Sequence, residues 1–219
     1  MTILIATGMQ REAKLMAGPG VTVVTGGGDS TRLERALDAA VRGATLLISS
    51  GLAGALDPEL APGDLVLDGP ADLVETLLLE FPEAYVGWVM GSDVPIGSVA
   101  DKAKAAKQGA IAVDMESHVA ERVAARNGVP FLVLRVISDA AEDALPPAAL
   151  AAMKPDGGIA LGAVLASLAR HPAQLPALIR TGRDAEKGFR ALRRLHARLH
   201  AGAGALDLAR IALGGGECR

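Results

Sequence analysis

Residues Phe131 to Ile137 read FLVLRVI, an apolar run broken only by Arg135. A run without polar alternation belongs to a strand buried on both faces, and covering both faces of a strand calls for helices above and below a sheet. That single stretch directs the chain towards an α/β domain. The residues before it agree. Ala110 to Val113 is a shorter apolar run ending in Asp114, a good helix N-cap, after which Met115, Val119 and Val123 recur every four residues beside Ala120 and Ala124. Asn127-Gly128 is a helix stop and Pro130 bars continuation. Gly109 to Asp143 therefore reads as strand, helix and strand, with Ser138 and Asp139 at the carboxyl end of the second strand. Ligands of open α/β sheets bind beyond the carboxyl ends of strands, so Asp114, Glu116 and Asp139 share one crevice if the two strands are neighbours. Several carboxylates in one pocket suit acid chemistry or the recognition of sugar hydroxyls.

The rest of the chain supplies similar units. Thr2 to Ala6 forms a first strand, and Thr7-Gly8 turns into a helix opened by Met9-Gln10-Arg11-Glu12. A glycine there lets a ligand approach the backbone and the helix start attracts an anion, although an ordinary turn with solvated charges fits equally. Val21 to Thr25 leads into Gly26-Gly27-Gly28-Asp29-Ser30 and a helix from Thr31 to Arg42. This loop lacks the G-x-G-x-x-G of dinucleotide folds and the G-K-[ST] of a P-loop, and both a tight turn and a phosphate cradle remain open. Thr45 to Ser49 is a strand ending in the small-residue loop Ser50 to Leu56. Leu65 to Leu67 and Tyr85 to Met90 are further strands, Ala71 to Glu80 is a helix, and Lys102, Lys104 and Lys107 fall on a short polar helix as a solvated face. Ala148 to Ala169 is largely helical with an interruption at Pro155-Asp156-Gly157-Gly158.

At 219 residues, a single domain accounts for the chain. Aromatic residues make up 2%, too few for base-stacking platforms, so nucleic acid is not expected as a partner. The lone Cys218 leaves no disulfide or cysteine metal site, and the chain shows neither a charged leader nor a long apolar span, which predicts a cytoplasmic protein. No metal is expected, since His196 and His200 stand four apart without a carboxylate partner. Nor is there a G-x-S-x-G elbow of a serine hydrolase. Charge is divided along the chain. Residues 1–169 carry a net −9 and residues 170–219 a net +6. The basic end holds an amphipathic helix from Leu175 to Leu199, with Phe189, Leu192, Leu195 and Leu199 on one side and Arg190, Arg193, Arg194 and Arg198 on the others. Such a helix either packs on the domain or contacts an anionic membrane surface. Residues 201–219 read as a loose tail.

Taken in order, Gly8-Met9-Gln10-Arg11-Glu12, Gly51-Leu52-Ala53-Gly54, Pro62-Gly63-Asp64, Ala112-Val113-Asp114-Met115-Glu116 and Arg135-Val136-Ile137-Ser138-Asp139 resemble the nucleoside phosphorylase and nucleosidase superfamily, in particular its methylthioadenosine/S-adenosylhomocysteine nucleosidases. The strings AVDMES, RVISDAAEDALPP and QLPALIRTGRDAEKGFRALRRL look most like the hopanoid-associated phosphorylase branch, which removes adenine from adenosylhopane. The resemblance implies a single domain over residues 1–200, with a central mixed β-sheet flanked by helices and the basic helix at its end. It also implies an enzyme that cleaves an N-glycosidic bond without a cofactor, with phosphate as a possible co-substrate.

Residue by residue, it makes Asp139 the group that protonates the departing purine, with a pKa raised by burial, and Ser138 the group that orients it. Glu116 matches the ribose-binding carboxylate and Met115 the residue packed on the sugar. Val113 and Asp114 would line the base, Ala53 and Gly54 would form a small wall, and Arg135 would hold a carboxylate behind the site. Glu12 matches the residue that positions an attacking water, whereas Gly8, Gly27, Arg11 and Arg32 are candidates for phosphate. The branch resemblance and these arginines lean towards phosphorolysis. Val94-Pro95 stands where the nucleosidases carry an aromatic against the base, which leaves room for a bulky 5′ substituent. For a hopane tail, the C-terminal helix would rest on the inner face of the membrane, arginines towards lipid headgroups and leucines towards the acyl boundary. The superfamily implies a homo-oligomer. The alternatives are a soluble methylthioadenosine/S-adenosylhomocysteine nucleosidase and a non-catalytic nucleoside-binding module.

Overall fold

The structure, a computed structural model, describes residues 2–152, 154 and 157–201. Its central strands are β3 (Leu46–Ala55) and β8 (Phe131–Asp139), which pair in parallel from Leu47 with Phe131 to Gly54 with Asp139. Both are almost wholly buried, as a strand without polar alternation must be. β1 (Ile3–Thr7) lies parallel on the other side of β3, and β2 (Val21–Thr25) lies parallel beyond it. β4 (Leu65–Asp68) runs antiparallel to β8, with β5 (Tyr85–Val86) at its edge. β6 (Val89–Gly91) pairs with β7 (Ala112–Asp114), and β7 runs antiparallel to the far end of β3. The eight strands form one mixed sheet.

Helices cover both faces. On one, α2 (Ser30–Ala40) and α5 (Ser117–Asn127) bury Leu33, Leu37, Val119 and Val123 against Leu4 and Leu47. On the other, α1 (Gln10–Met16), α3 (Ala71–Glu80) and α8 (Leu175–Ala201) enclose Ile5, Ile48, Leu134 and Val136. α4 (Val99–Ala106), α6 (Pro147–Leu150) and α7 (Leu161–Arg170) complete the chain order, α4 lying between β6 and β7 and the others between β8 and α8. α2 is capped by the Asp29 carboxylate, which accepts from Arg32 N–H, and α5 ends at Gly128 with φ 64°, where only glycine is unstrained.

Four sequence expectations are corrected. Ser50 to Ala55 is strand rather than loop, because β8 and β7 both supply ladder partners to this glycine-rich stretch. The Tyr85 to Met90 strand is broken at Gly87-Trp88, one half pairing with β4 and the other with β7. Asp114 is not itself the N-cap of α5; it lies two residues earlier and its Oδ1 accepts from the N–H groups of Glu116 and Ser117. The apolar side of the C-terminal helix is not free for an acyl boundary, since Phe189, Leu192, Leu195 and Leu199 are buried and the three leucines join the core beneath β8. The expected tail, with Cys218, lies outside the described residues.

No described helix is long and apolar enough to cross a membrane.

Candidate functional site

The carboxyl ends of β1, β3, β7 and β8 carry a set of buried charges, and three glycines make room for them. A side chain at Gly8 would stand 2.6 Å from Glu116 Oε1, one at Gly51 would stand 2.7 Å from Arg135 Nη1 and 2.8 Å from Glu12 Oε1, and one at Gly54 would stand 3.0 Å from Asp139 Oδ2. The glycines that suggested close approach of a ligand thus first admit the chain's own charged groups. The β3–β8 register slips between Ala53 and Gly54, with Ser138 as the extra residue on β8. Consequently Arg135 and Asp139, four apart on β8, face Gly51 and Gly54, three apart on β3.

Glu12 lies in the first turn of α1 and reaches back over the turn after β1. Its Oε2 accepts from Thr7 Oγ1 at 2.6 Å, Gly8 N at 3.1 Å and Met9 N at 2.7 Å, and its Oε1 accepts from Leu52 N at 2.8 Å. The anion drawn to the start of α1 is therefore Glu12 itself. Three donors saturate Oε2, whereas Oε1 keeps a lone pair. Gly27 does not offer its amide to a ligand either. It donates to Gly8 O at 2.9 Å, and the neighbouring Gly26 donates to Thr7 O at 2.8 Å. Of the two readings left open for the glycine loop, the tight turn prevails, with positive φ at Gly27 and Gly28.

Arg135 is fully buried behind these groups. Its Nη2 donates to Ser49 Oγ at 2.7 Å and to Glu116 Oε2 at 3.2 Å, and its Nη1 to Leu52 O at 3.3 Å. Nε lies 2.6 Å from Asp114 Oδ2 but is poorly aligned with it, so this contact is an ion pair without a well-formed hydrogen bond. Asp114 also accepts from Ser117 Oγ. It is turned inwards as the counter-ion of Arg135, not outwards along a base. Glu116 is pushed up to about 7, chiefly by burial, against the pull of Arg135 and with the carboxylates of Asp114 and Glu12 adding to the rise. Near neutrality it can both donate to and accept from a sugar hydroxyl.

Asp139 stands at the other end of the site. Its Oδ1, at 2.7 Å, and Ala53 O, at 3.2 Å, share the single hydroxyl hydrogen of Ser138. Its Oδ2 is 2.6 Å from Lys102 Nζ, and Lys102, expected on a solvated face, is 1% exposed. The burial foreseen for Asp139 is present, and it is accompanied by a buried opposite charge. Lys102 is the buried neighbour of the site that sequence reasoning missed. The signal was its position three before Ala105, which shares the buried side of α4.

Val113 is buried on β7 and pairs with Gly54, Ala53 is buried beside it, and Met115 is half-buried after the strand. The structure does not bring Arg11 to the glycine turn. Its guanidinium pairs with Glu186 on α8 at 2.7 Å and stacks over Phe189 at 3.8 Å. Arg32 sits in the first turn of α2, where its backbone N–H meets the Asp29 cap. Among the described residues no three His, Cys, Asp or Glu side chains converge as a metal site would require.

A family model described as the phosphorylase superfamily matches residues 71–171, from α3 through α7. Together with the mixed sheet and the carboxylates at its strand ends, this makes the chain similar to the nucleoside phosphorylase and nucleosidase class of α/β enzymes. Within that class, the chain is similar in fold to methylthioadenosine/S-adenosylhomocysteine nucleosidases. The enzyme of Colwellia psychrerythraea 34H, solved with adenine, superposes with a TM-score of 0.62 at 16% identity over 91% of this chain and 96% of that one. The Helicobacter pylori enzyme gives 0.60 at 18% over 91% and 99%. A futalosine hydrolase mutant of Helicobacter pylori gives 0.53 at 19% over 63% and 89%. No curated protein matches the chain.

Proposed function

We propose that the chain cleaves the N-glycosidic bond of a 5′-modified adenosine and releases adenine, with water as the nucleophile. The observation that carries the reading is the spacing of two carboxyl groups along β3: Glu12 at Gly51 and Asp139 at Gly54. Three residues of strand span roughly 10 Å, which a purine ribonucleoside laid along the strand can bridge. Departure of the base places negative charge on the purine and positive charge on the sugar, so a proton is needed at one end and an oxocarbenium-tolerant, anionic environment at the other. Asp139, held by Ser138, serves the base. Glu116 serves the ribose hydroxyls, Met115 packs on the sugar, and Val113, Ala53 and Gly54 form the wall. Oε1 of Glu12 has the lone pair that holds a water for attack on C1′. The sequence leans towards phosphate, but the Gly8 and Met9 amides that would bind it are spent on Glu12 and the Gly27 amide on Gly8 O, and Asp114, Glu116 and Glu12 outnumber Arg135. Such a site opposes a phosphate dianion.

Adenine in the Colwellia psychrerythraea structure and 5′-methylthioadenosine in a Helicobacter pylori one support a small-molecule nucleoside as partner. A lipid 5′ substituent such as hopane has its own support. Ile159, Leu161 and Leu165 on and before α7, with Leu175 and Ile179 at the start of α8, are all exposed. They begin beside Gly157, whose carbonyl accepts from Gln10 N at 3.0 Å over the glycine turn. If the protein rests on a membrane, this apolar set is its contact, since the leucines further along α8 are in the core. A homo-oligomer belongs to the same reading, the exposed Tyr85, Val86 and Trp88 at the β5 edge being open to a second copy.

The test is adenine release from methylthioadenosine, S-adenosylhomocysteine and adenosylhopane, each with and without phosphate, with the sugar product identified. Phosphate-independent release with a free reducing sugar is expected. A sugar 1-phosphate as product, or tight nucleoside binding without turnover, overturns the reading.

A further inference from the structure

Lys102 is an unusual group to find buried in an enzyme whose sugar end is already dominated by carboxylates. All three of its ammonium hydrogens are placed: Nζ lies 2.6 Å from Asp139 Oδ2, 2.7 Å from Ala140 O and 3.0 Å from Asp143 O. The Asp143 side chain is not its counter-ion, since that carboxylate lies 3.3 Å from Arg180 on α8. Asp139 in turn accepts on both oxygens, from Lys102 and from Ser138 Oγ. Lys102 Nζ is thus a proton source in direct contact with Asp139, at the oxygen that Ser138 does not hold. The proton required by the leaving purine is one step further back, on nitrogen.

We infer that Lys102 is a positioning residue that supplies the proton Asp139 delivers, so that the acid of this site is the Lys102–Asp139 pair rather than an isolated carboxyl. This rests on the proposed adenine release. As the C1′–N9 bond breaks, its electron pair passes to the purine. N7 takes a proton from Asp139, and Asp139 Oδ2 takes one from Lys102 Nζ. The base leaves neutral, Asp139 remains a carboxylate and Lys102 becomes a neutral amine. The proton of the attacking water passes to Glu12, and exchange with solvent restores both groups. The arrangement is economical in a buried site, because the positive charge given up by Lys102 cancels the negative charge that develops on the purine a few ångströms away, and no counter-charge has to enter a dry interior. It also explains why a lysine stands here. A guanidinium would pair with Asp139 equally well but cannot give up its proton in a protein.

The experiment compares two leaving groups on the purified chain carrying Lys102→Met or Lys102→Arg, with Lys102→Gln as a polar variant in case either fails to fold. Adenine must be protonated to depart, whereas p-nitrophenolate, released from a p-nitrophenyl riboside, need not be. On variants with wild-type circular dichroism, adenine release is expected to fall on the order of a hundredfold or more, the usual contribution of general acid catalysis, while p-nitrophenolate release changes by less than about fivefold. Lys102→Arg is expected to behave as Lys102→Met. Equal losses on both substrates, adenine release within about fivefold of wild type, or rescue of adenine release by arginine overturns the inference. In each of those outcomes the wild type remains active. A wild type inert towards every adenosine overturns the proposed function, and this inference with it.

Discussion

Glu12 shows how much a single carboxylate can decide. Four donors from Thr7, Gly8, Met9 and Leu52 hold it at the start of α1, and only Oε1 retains capacity for a water. Glu12→Gln keeps the size but offers an NH2 group where the carboxylate accepted a bond, so at least one donor of the turn loses its partner. Adenine release is expected to fall by about 10²-fold or more in kcat, the range for loss of a positioned base, with KM changed little because the base and ribose contacts lie elsewhere. Steady-state kinetics on methylthioadenosine reads the split, and a change confined to KM would remove Glu12 from the chemistry. At the opposite end, Asp139→Asn keeps the Ser138 contact but cannot relay a proton. It is expected to abolish adenine release while leaving thermal unfolding and nucleoside binding measurable, and full activity in that variant would refute the role of Asp139. The residues themselves were legible in the sequence because carboxylates at strand-to-helix junctions are conspicuous. Their partners were not. Arg135 to Glu116, Glu12 to Leu52 and Lys102 to Asp139 are set by strand register and helix rotation, which local periodicity does not contain. Arg11 misled for the same reason, since its position in the chain is beside the turn but its side chain belongs to α8.

The C-terminal helix carries the corresponding lesson for an element. From sequence, a leucine stripe flanked by arginines fits either a packed helix or a membrane-surface helix, since both need one apolar face. The structure gives that face to the core, where Leu192 is fully buried with Leu195 and Leu199 against the sheet. Leu192→Ala is therefore expected to cost about 2–5 kcal/mol, the range for a buried leucine, and to lower Tm accordingly. Calorimetry would show no such loss if α8 merely rested on a lipid surface. Leu165 on α7 makes the opposite case, being 66% exposed. Leu165→Glu is expected to change stability by less than about 0.5 kcal/mol while reducing sedimentation with anionic vesicles, and unchanged co-sedimentation would detach α7 from the lipid reading. β3 was misjudged in the other direction. Small residues from Ser50 to Gly54 looked like a loop because strands are usually recognised by bulk, but here the absence of bulk is what admits Arg135, Glu12 and Asp139.

Across the whole molecule, two buried groups on opposite sides of β3 give the fold a pH response that neither reveals alone. Glu116 is raised from its ordinary 4.5 to about 7, first by burial. His196, buried under the sheet with its Nε2 3.0 Å from Ser50 Oγ, is lowered from 6.5 to about 4, first by burial and then by His200. The signs differ. Between about 4.5 and 7 the folded state holds more protons on Glu116 than the unfolded chain does, so this contribution to stability is present below 4.5 and lost as pH rises. Between about 4 and 6.5 the unfolded chain holds more protons on His196, so this contribution is lost as pH falls. Each shift corresponds to about 3 kcal/mol at most, and over their shared window the two oppose each other. Glu116→Gln removes one side of that balance. Relative to wild type, its Tm is expected to climb with pH between 4.5 and 7, because the term that falls with pH is gone from the variant while the His196 term is common to both and cancels. Thermal unfolding of both proteins across this range gives the difference directly, and shared carboxylates cancel in it. A Tm difference that stays constant with pH would mean that Glu116 ionises in the folded protein as it does in the open chain. The buried carboxyl assigned to the ribose would then be charged throughout the physiological range, accepting hydrogen bonds but never donating one.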